Sequence, residues 1–119
     1  MNILIADDND DVRDVISMVA AMHGHDVMVA HDGATALDIL RTLEPDAAIL
    51  DVGMGEMSGL DVARLARHSG VRTHLIALSG WSKPSDAEAA LDAGFDVFLG
   101  KPASIEQINE ALARRKDRT

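Results

Sequence analysis

Ala47-Ala48-Ile49-Leu50-Asp51 is the stretch that decides the fold. Four apolar residues in a row, ended by a carboxylate, read as a strand covered on both faces, because a strand with one wet face would alternate. The same form recurs on either side. Ile3-Leu4-Ile5-Ala6 runs into Asp7-Asp8, and Leu75-Ile76-Ala77-Leu78 runs into Ser79-Gly80. Shorter runs at Val27-Met28-Val29-Ala30 and Val97-Phe98-Leu99 complete five strands.

Helical periods fill the gaps between these runs. Val12, Val15, Ile16 and Val19 recur at i, i+3, i+4 and i+7, as do Gly33, Ala36, Leu37 and Leu40. Leu60, Ala63 and Ala66 make a weaker stripe, as do Ala87, Ala90 and Leu91, and the last stripe is Ile105, Ile108 and Leu112. Ser85 with Glu88 and Ser104 with Gln107 have the capping-box spacing, in which each side chain satisfies an orphan amide of the other residue. Gly24, Gly70 and Gly94 fall where helix C-caps belong. Arg114, Arg115, Lys116 and Arg118 are expected to complement the dipole at the end of the final helix.

Strand and helix therefore alternate five times, a (βα)5 pattern. Right-handed crossovers make it an α/β doubly wound, five-stranded parallel sheet. The common strand order is the flavodoxin-like 2-1-3-4-5, whose switch point lies between strands 1 and 3. At 119 residues, with no linker, low-complexity tract or repeat, residues 1–119 read as one domain. Apolar residues at 47% and charged residues at 26% are ordinary for a globular chain.

The charge balance of 11 Lys+Arg against 20 Asp+Glu, net −9, would be repelled by a phosphate backbone, so no nucleic-acid partner is expected. The absence of cysteine removes disulfides, thiolate zinc sites and thiol nucleophiles. No apolar run approaches a membrane span, and Asp7 interrupts the N-terminus before a signal-peptide core could form. The expectation is a soluble cytoplasmic domain with no membrane partner. Met1, directly before the first strand, argues against an upstream domain.

Ligands of such sheets bind at the carboxyl ends of the strands beside the switch point. Asp7 and Asp8 follow strand 1 and Asp51 ends strand 3, so three carboxylates should converge there. At about 5 Å and an effective dielectric near 20, each like-charge pair costs roughly 3 kcal/mol. Such a cluster needs protons or cations, and hard oxygen donors favour Mg²⁺, with Mn²⁺ as the alternative, over zinc. Ser79 ends strand 4 and Lys101 follows strand 5. A hydroxyl and an ammonium facing an acidic metal cluster suit a phosphoryl group.

The Asp7-Asp8 pair, the strand-end Asp51, the Leu78-Ser79-Gly80 turn and Lys101-Pro102 resemble the receiver domain of two-component response regulators across the whole chain. The resemblance implies that Asp51 is the phosphoacceptor, taking its phosphoryl group from a histidine kinase or histidine phosphotransfer protein. It implies that Asp8, Asp51 and the Gly53 carbonyl ligate Mg²⁺, with Asp7 acting mainly through a metal-bound water. Ser79 and Lys101 would contact the phosphoryl group, Lys101 pairing with Asp51 beforehand. Pro102 would follow a cis peptide. Ser79 and Phe98 would form the switch, and the fourth helix, fifth strand and fifth helix would face a downstream protein. The chain would modify only itself, not turn over an external substrate. The competing reading is a phosphorylation-independent interaction module on the same fold.

Other motifs fail on detail. Gly53 to Gly59 reads G-x-G-x-x-x-G, not a dinucleotide loop, and Asp51 beside it would repel a pyrophosphate. Gly94 to Lys101 is one residue too long for a P-loop, and Pro102 stands where Ser or Thr belongs. Asp7, Asn9 and Asp11 begin like an EF-hand, but Val12 and Met18 replace its Gly and Glu. A haloacid-dehalogenase-type phosphohydrolase needs an acid two after its nucleophile, where Gly53 or Asn9 stands. His23, His25, His31, His68 and His74 are expected at the surface or at helix ends, and Met54 and Met57 in loop packing. Gly55 replaces a common receiver proline, and Trp81 is expected on the loop beside the site.

Overall fold

The computed structural model describes residues 1–80 and 83–115. Trp81, Lys116 and Arg118, on which expectations were placed above, lie outside the described residues. In chain order the elements are β1 (Asn2–Ala6), α1 (Asp10–Met22), β2 (Asp26–Ala30), α2 (Gly33–Leu43), β3 (Ala47–Asp51), α3 (Gly59–His68), β4 (His74–Ser79), α4 (Pro84–Ala93), β5 (Val97–Gly100) and α5 (Ile105–Ala113). The strands form one parallel sheet in the order β2-β1-β3-β4-β5, the flavodoxin-like order expected. Among the described residues no helix is long and apolar enough to cross a membrane.

Period-two alternation divides the three central strands between two apolar layers. Leu4, Ala6, Ala48, Leu50, Leu75 and Ala77 pack with α2, α3 and α4. Ile3, Ile5, Ala47, Ile49, Ile76 and Leu78 pack with α1 and α5. Both faces are covered, which is why these runs carry no polar residue until each strand ends. Edge strand β2 is less enclosed, and its Val29 is exposed.

Helix ends follow local chemistry. Asn9, Asp32, Ser58 and Ser104 cap α1, α2, α3 and α5 with their side chains. The Ser104–Gln107 capping box forms as expected. The Ser85–Glu88 box does not. Pro84 takes the first position of α4, which its fixed φ suits, so the cap moves back to Lys83, whose amide donates to Asp86 Oδ2 at 3.1 Å. Gly94 ends α4 at φ +115°, and Gly24 and Gly70 leave α1 and α3 at φ +83° and +84°.

Three helical stripes sit rotated from expectation. In α1 the inward residues are Arg13, Ile16 and Ala20, while Val15 is 61% exposed over the groove toward α5. Leu91 of α4 and Ile105 of α5 are also exposed, because Ala90 with Ala93, and Ile108 with Ala111 and Leu112, occupy the faces toward the sheet. Of the basic residues after α5, Arg114 and Arg115 are described, and each is held by an ion pair. Arg114 pairs with Glu110, and Arg115 reaches across to the Asp46 carboxylate and carbonyl. His74 is buried rather than superficial, its Nε2 2.9 Å from the Ala111 carbonyl. Met54 is buried and Met57 packs partly buried against the same layer, as loop packing requires.

One contact sets how closely α3 approaches the end of β3. A Cβ on Gly59 would lie 2.5 Å from the Asp51 carbonyl oxygen and 3.0 Å from the Val52 Cα, both backbone atoms that cannot step aside. The Gly59 amide uses that proximity to donate to the Val52 carbonyl at 3.0 Å. Gly59→Ala should therefore cost about 1–3 kcal/mol of stability by overpacking. Gly53→Ala, where the nearest atom is 3.9 Å away, should be neutral or slightly stabilising. Urea denaturation of both variants checks this, and equal midpoints would refute the steric account.

Candidate acid-cluster site

The parallel register brings the ends of β1, β3, β4 and β5 to one edge of the sheet. Ala6 pairs with Leu50, Asp51 with Leu78, and Ser79 with Gly100. The next residues, Asp7 and Lys101, leave the sheet side by side with Asp51. Asp7 is 1% exposed and Asp51 7%, so both carboxylates are held in the protein, whereas Asp8 is open to solvent.

Lys101 binds the two buried acids together. Its Nζ lies 2.9 Å from Asp7 Oδ2 and 3.1 Å from Asp51 Oδ1. Pairing with Asp51 was expected; the slightly shorter contact with Asp7 was not. Backbone amides complete the anchoring. Asn9 N–H donates to Asp7 Oδ1 at 2.9 Å, and Gly53 N–H donates to Asp51 Oδ1 at 3.2 Å. The Lys101 amide donates to the Ser79 carbonyl at 2.7 Å, which ties the lysine's backbone to the end of β4. The Lys101–Pro102 peptide is cis, as the resemblance implied. Ser79 is buried at the same edge.

Burial pushes the Asp51 carboxyl above the ordinary aspartate range, and the Asp7 charge adds to it. The Gly53 amide and Lys101 pull the other way without cancelling the rise. Burial likewise weighs against the Lys101 ammonium, but the hydrogen bonds and charges of Asp7 and Asp51 outweigh it and hold its pKa above the usual lysine value. One ammonium against three carboxylates leaves two negative charges. Oxygens of Asp7, Asp8 and Asp51 all lie within 4.8 Å of one another. A hard, all-oxygen donor set with that residual charge fits a divalent cation of the magnesium class.

Sequence reasoning missed Arg13. This guanidinium is buried beneath the cluster, with Nη1 donating to the Asp7 carbonyl at 3.0 Å and Nη2 to Asp10 Oδ1 at 2.6 Å. A signal existed in the spacing of Arg13, Ile16 and Ala20, but Val12, Val15, Ile16 and Val19 make a more apolar stripe and drew the helix face one residue away. Phe98 is half-buried on edge strand β5. It packs against the layer of α3 and α4 and lines a cavity of about 220 Å³ with Gln107, Glu110, Ala111 and Arg114 of α5 and its end.

Comparison with known proteins agrees with this geometry. The response regulator MprA of Mycobacterium avium is 38% identical over 118 residues, covering 97% of this chain, and the chain spans about half the length of the curated relatives it matches, 52% in that case. The receiver domain of Francisella response regulator 1452 superposes with a TM-score of 0.88 at 28% identity, covering 97% of this chain and 98% of that one. The receiver domain of the sensor histidine kinase PA1611 from Pseudomonas aeruginosa, a structure with a magnesium ion coordinated in its active-site cleft, superposes with a TM-score of 0.87 at 28% identity, covering 96% and 95%. The response regulator receiver domain description matches residues 3–113. That match takes in every strand-end acid, the serine and the lysine of the cluster, and the chain belongs to the response regulator receiver domain family of two-component signalling.

Proposed function

We propose that Asp51 accepts a phosphoryl group from a histidine kinase or histidine phosphotransfer protein, and that the resulting aspartyl phosphate switches a protein-interaction face. The observation that carries this reading is the Lys101 ammonium bridging two buried carboxylates at 2.9 and 3.1 Å, with a third carboxylate at the mouth. A structural salt bridge would need one acid, not three.

The Gly53 amide and Lys101 both engage Asp51 Oδ1, which leaves Oδ2 without a hydrogen bond among the described residues. In the proposed step an Asp51 oxygen attacks phosphorus, the P–N bond of the phosphohistidine breaks, and its electron pair stays on the leaving imidazole. Asp8 and Asp51, with the Gly53 carbonyl, would hold Mg²⁺, and Asp7 would act through a bound water. When bound, the ion supplies charge neutralisation to the phosphoryl oxygens. Lys101 moves its contact from Asp51 to the phosphoryl group, and Ser79 donates its hydroxyl to another phosphoryl oxygen. No histidine base is required, because phosphoryl transfer depends on positioning and charge neutralisation more than on acid–base work. Water attack on the acyl phosphate returns Asp51. The chemistry is self-modification within the single receiver unit of residues 1–119, placed in the cytoplasm, where the donors act.

Two faces serve the two partners. An apolar groove of about 490 Å³ between α1 and α5, lined by Val12, Val15, Ile16, Ala103 and Ile108, opens beside Lys101. It continues along the exposed Val15, Met18 and Met22 of α1. Exposed apolar patches of this kind mark interaction surfaces, and continuity with the cluster fits it to the phosphodonor. The downstream target takes the α4–β5–α5 face. There, inward movement of Ser79 after phosphorylation frees space for the half-buried Phe98 ring, a population shift between two packings.

Incubation with acetyl phosphate and Mg²⁺, read by intact mass, should add about 80 Da, one phosphoryl group, to the wild type and nothing to Asp51→Asn. No adduct from acetyl phosphate or from a panel of kinases would favour the phosphorylation-independent module. Mg²⁺ at ten times its dissociation constant should stabilise the wild type by about 1.4 kcal/mol in urea melts, and Asp8→Ala should lose that gain. Met18→Glu should slow transfer from a phosphohistidine donor while leaving acetyl phosphate labelling at the wild-type rate. Equal slowing with both donors would remove α1 from the docking role.

A further inference from the structure

We infer that Arg13 is a positioning residue for the cation site: its buried guanidinium fixes the backbone between Asp7 and Asn9, and so places the Asp8 carboxylate for a divalent ion. This inference rests on the phosphoacceptor reading above and adds to it a residue that touches neither cation nor phosphoryl group.

The argument begins with an oddity of α1. Arg13 shares the inward stripe with Ile16 and Ala20 and is 6% exposed, the one arginine among the buried residues described. Burying a guanidinium is costly unless its donors are matched. A methionine or leucine would fill the same stripe with no such cost. What the arginine does there is bind backward. Nη1 donates to the Asp7 carbonyl, which stands one residue past the last register pair of β1, and Nη2 donates to Asp10 in the first turn of α1. The planar fork serves two acceptors at once, which an ammonium on a flexible stem cannot do in fixed geometry.

The segment held this way is the one that carries the acids. Asp7 is fixed through its carbonyl by Arg13, through Oδ1 by the Asn9 amide and through Oδ2 by Lys101. Asn9 is fixed in turn as the N-cap of α1, accepting from Val12 N–H at 3.1 Å, while its carbonyl accepts from Arg13 N–H at 3.0 Å. Asp8 stands between them. Its exposed side chain makes no hydrogen bond among the described residues, so its placement comes only from the backbone on either side. Among the described residues, Arg13 alone joins the carbonyl of Asp7 to the body of α1.

Groups that orient metal ligands without touching the metal change affinity by tenfold or more when removed. Arg13→Met should therefore weaken Mg²⁺ binding about tenfold by titration calorimetry. Its acetyl phosphate labelling should be slow at low Mg²⁺ and recover the wild-type rate at saturating Mg²⁺. Arg13→Lys, which keeps the charge and loses the fork, should also weaken binding, and it is the variant to use if Arg13→Met does not fold. A merely structural arginine would lower the urea midpoint and leave the Mg²⁺ dissociation constant unchanged. Wild-type affinity in folded variants, or a labelling deficit that persists at saturating Mg²⁺, overturns the proposal while the wild-type adduct leaves the phosphoacceptor reading intact. A wild type that binds no Mg²⁺ and forms no adduct removes both.

Discussion

The Lys101 ammonium, shared between Asp7 and Asp51, is the contact on which the rest of this molecule depends. It joins three chain segments far apart in sequence, the ends of β1 and β3 and the turn after β5, at one edge of the sheet. Without it two buried carboxylates would face each other across the switch point. With it they are tolerated but not neutralised, since Asp8 and one further charge remain uncovered. The site is therefore held together by an interaction that leaves it short of positive charge, and that shortfall is what a divalent cation or a phosphoryl-transfer step can use.

The fold was legible because its signals are redundant. Continuous apolar runs at Ile3–Ala6, Ala47–Leu50 and Leu75–Leu78 exclude a half-exposed sheet on their own, and the intervening stripes make a strand–helix alternation whose common order is 2-1-3-4-5. The cluster was legible for a related reason. Once strand order is known, residues at strand ends are neighbours, so Asp7, Asp8, Asp51, Ser79 and Lys101 meet without any knowledge of side-chain packing. What escaped was everything decided by rotation of a helix about its axis. Val15 and Arg13 differ by about 200° around α1, and apolarity alone assigns Val15 to the core. The structure reverses that choice, because Arg13 finds the buried Asp7 carbonyl and the Asp10 carboxylate as acceptors, and Val15 finds only a groove. His74 escaped likewise, since the partner that lets an imidazole be buried, the Ala111 carbonyl, lies 37 residues away.

The two edges of the sheet show why function sits where it does. At the edge where the strands begin, two acids are each matched by a guanidinium group. Asp96 takes Arg67 at 2.9 Å and the Leu75 amide, and Asp46 takes Arg115 at 3.0 Å and the Asn2 amide. Those pairs stitch α3 and the end of α5 to the starts of the strands. At the opposite edge the same kinds of groups are present in unequal number, three carboxylates to one ammonium. Burial raises the cost of that imbalance, as the upward-shifted Asp51 carboxyl registers. A chain selected for stability alone would balance both edges alike. Leaving one unbalanced, and supporting it from below with a buried arginine, is the arrangement of a site built to be completed from outside.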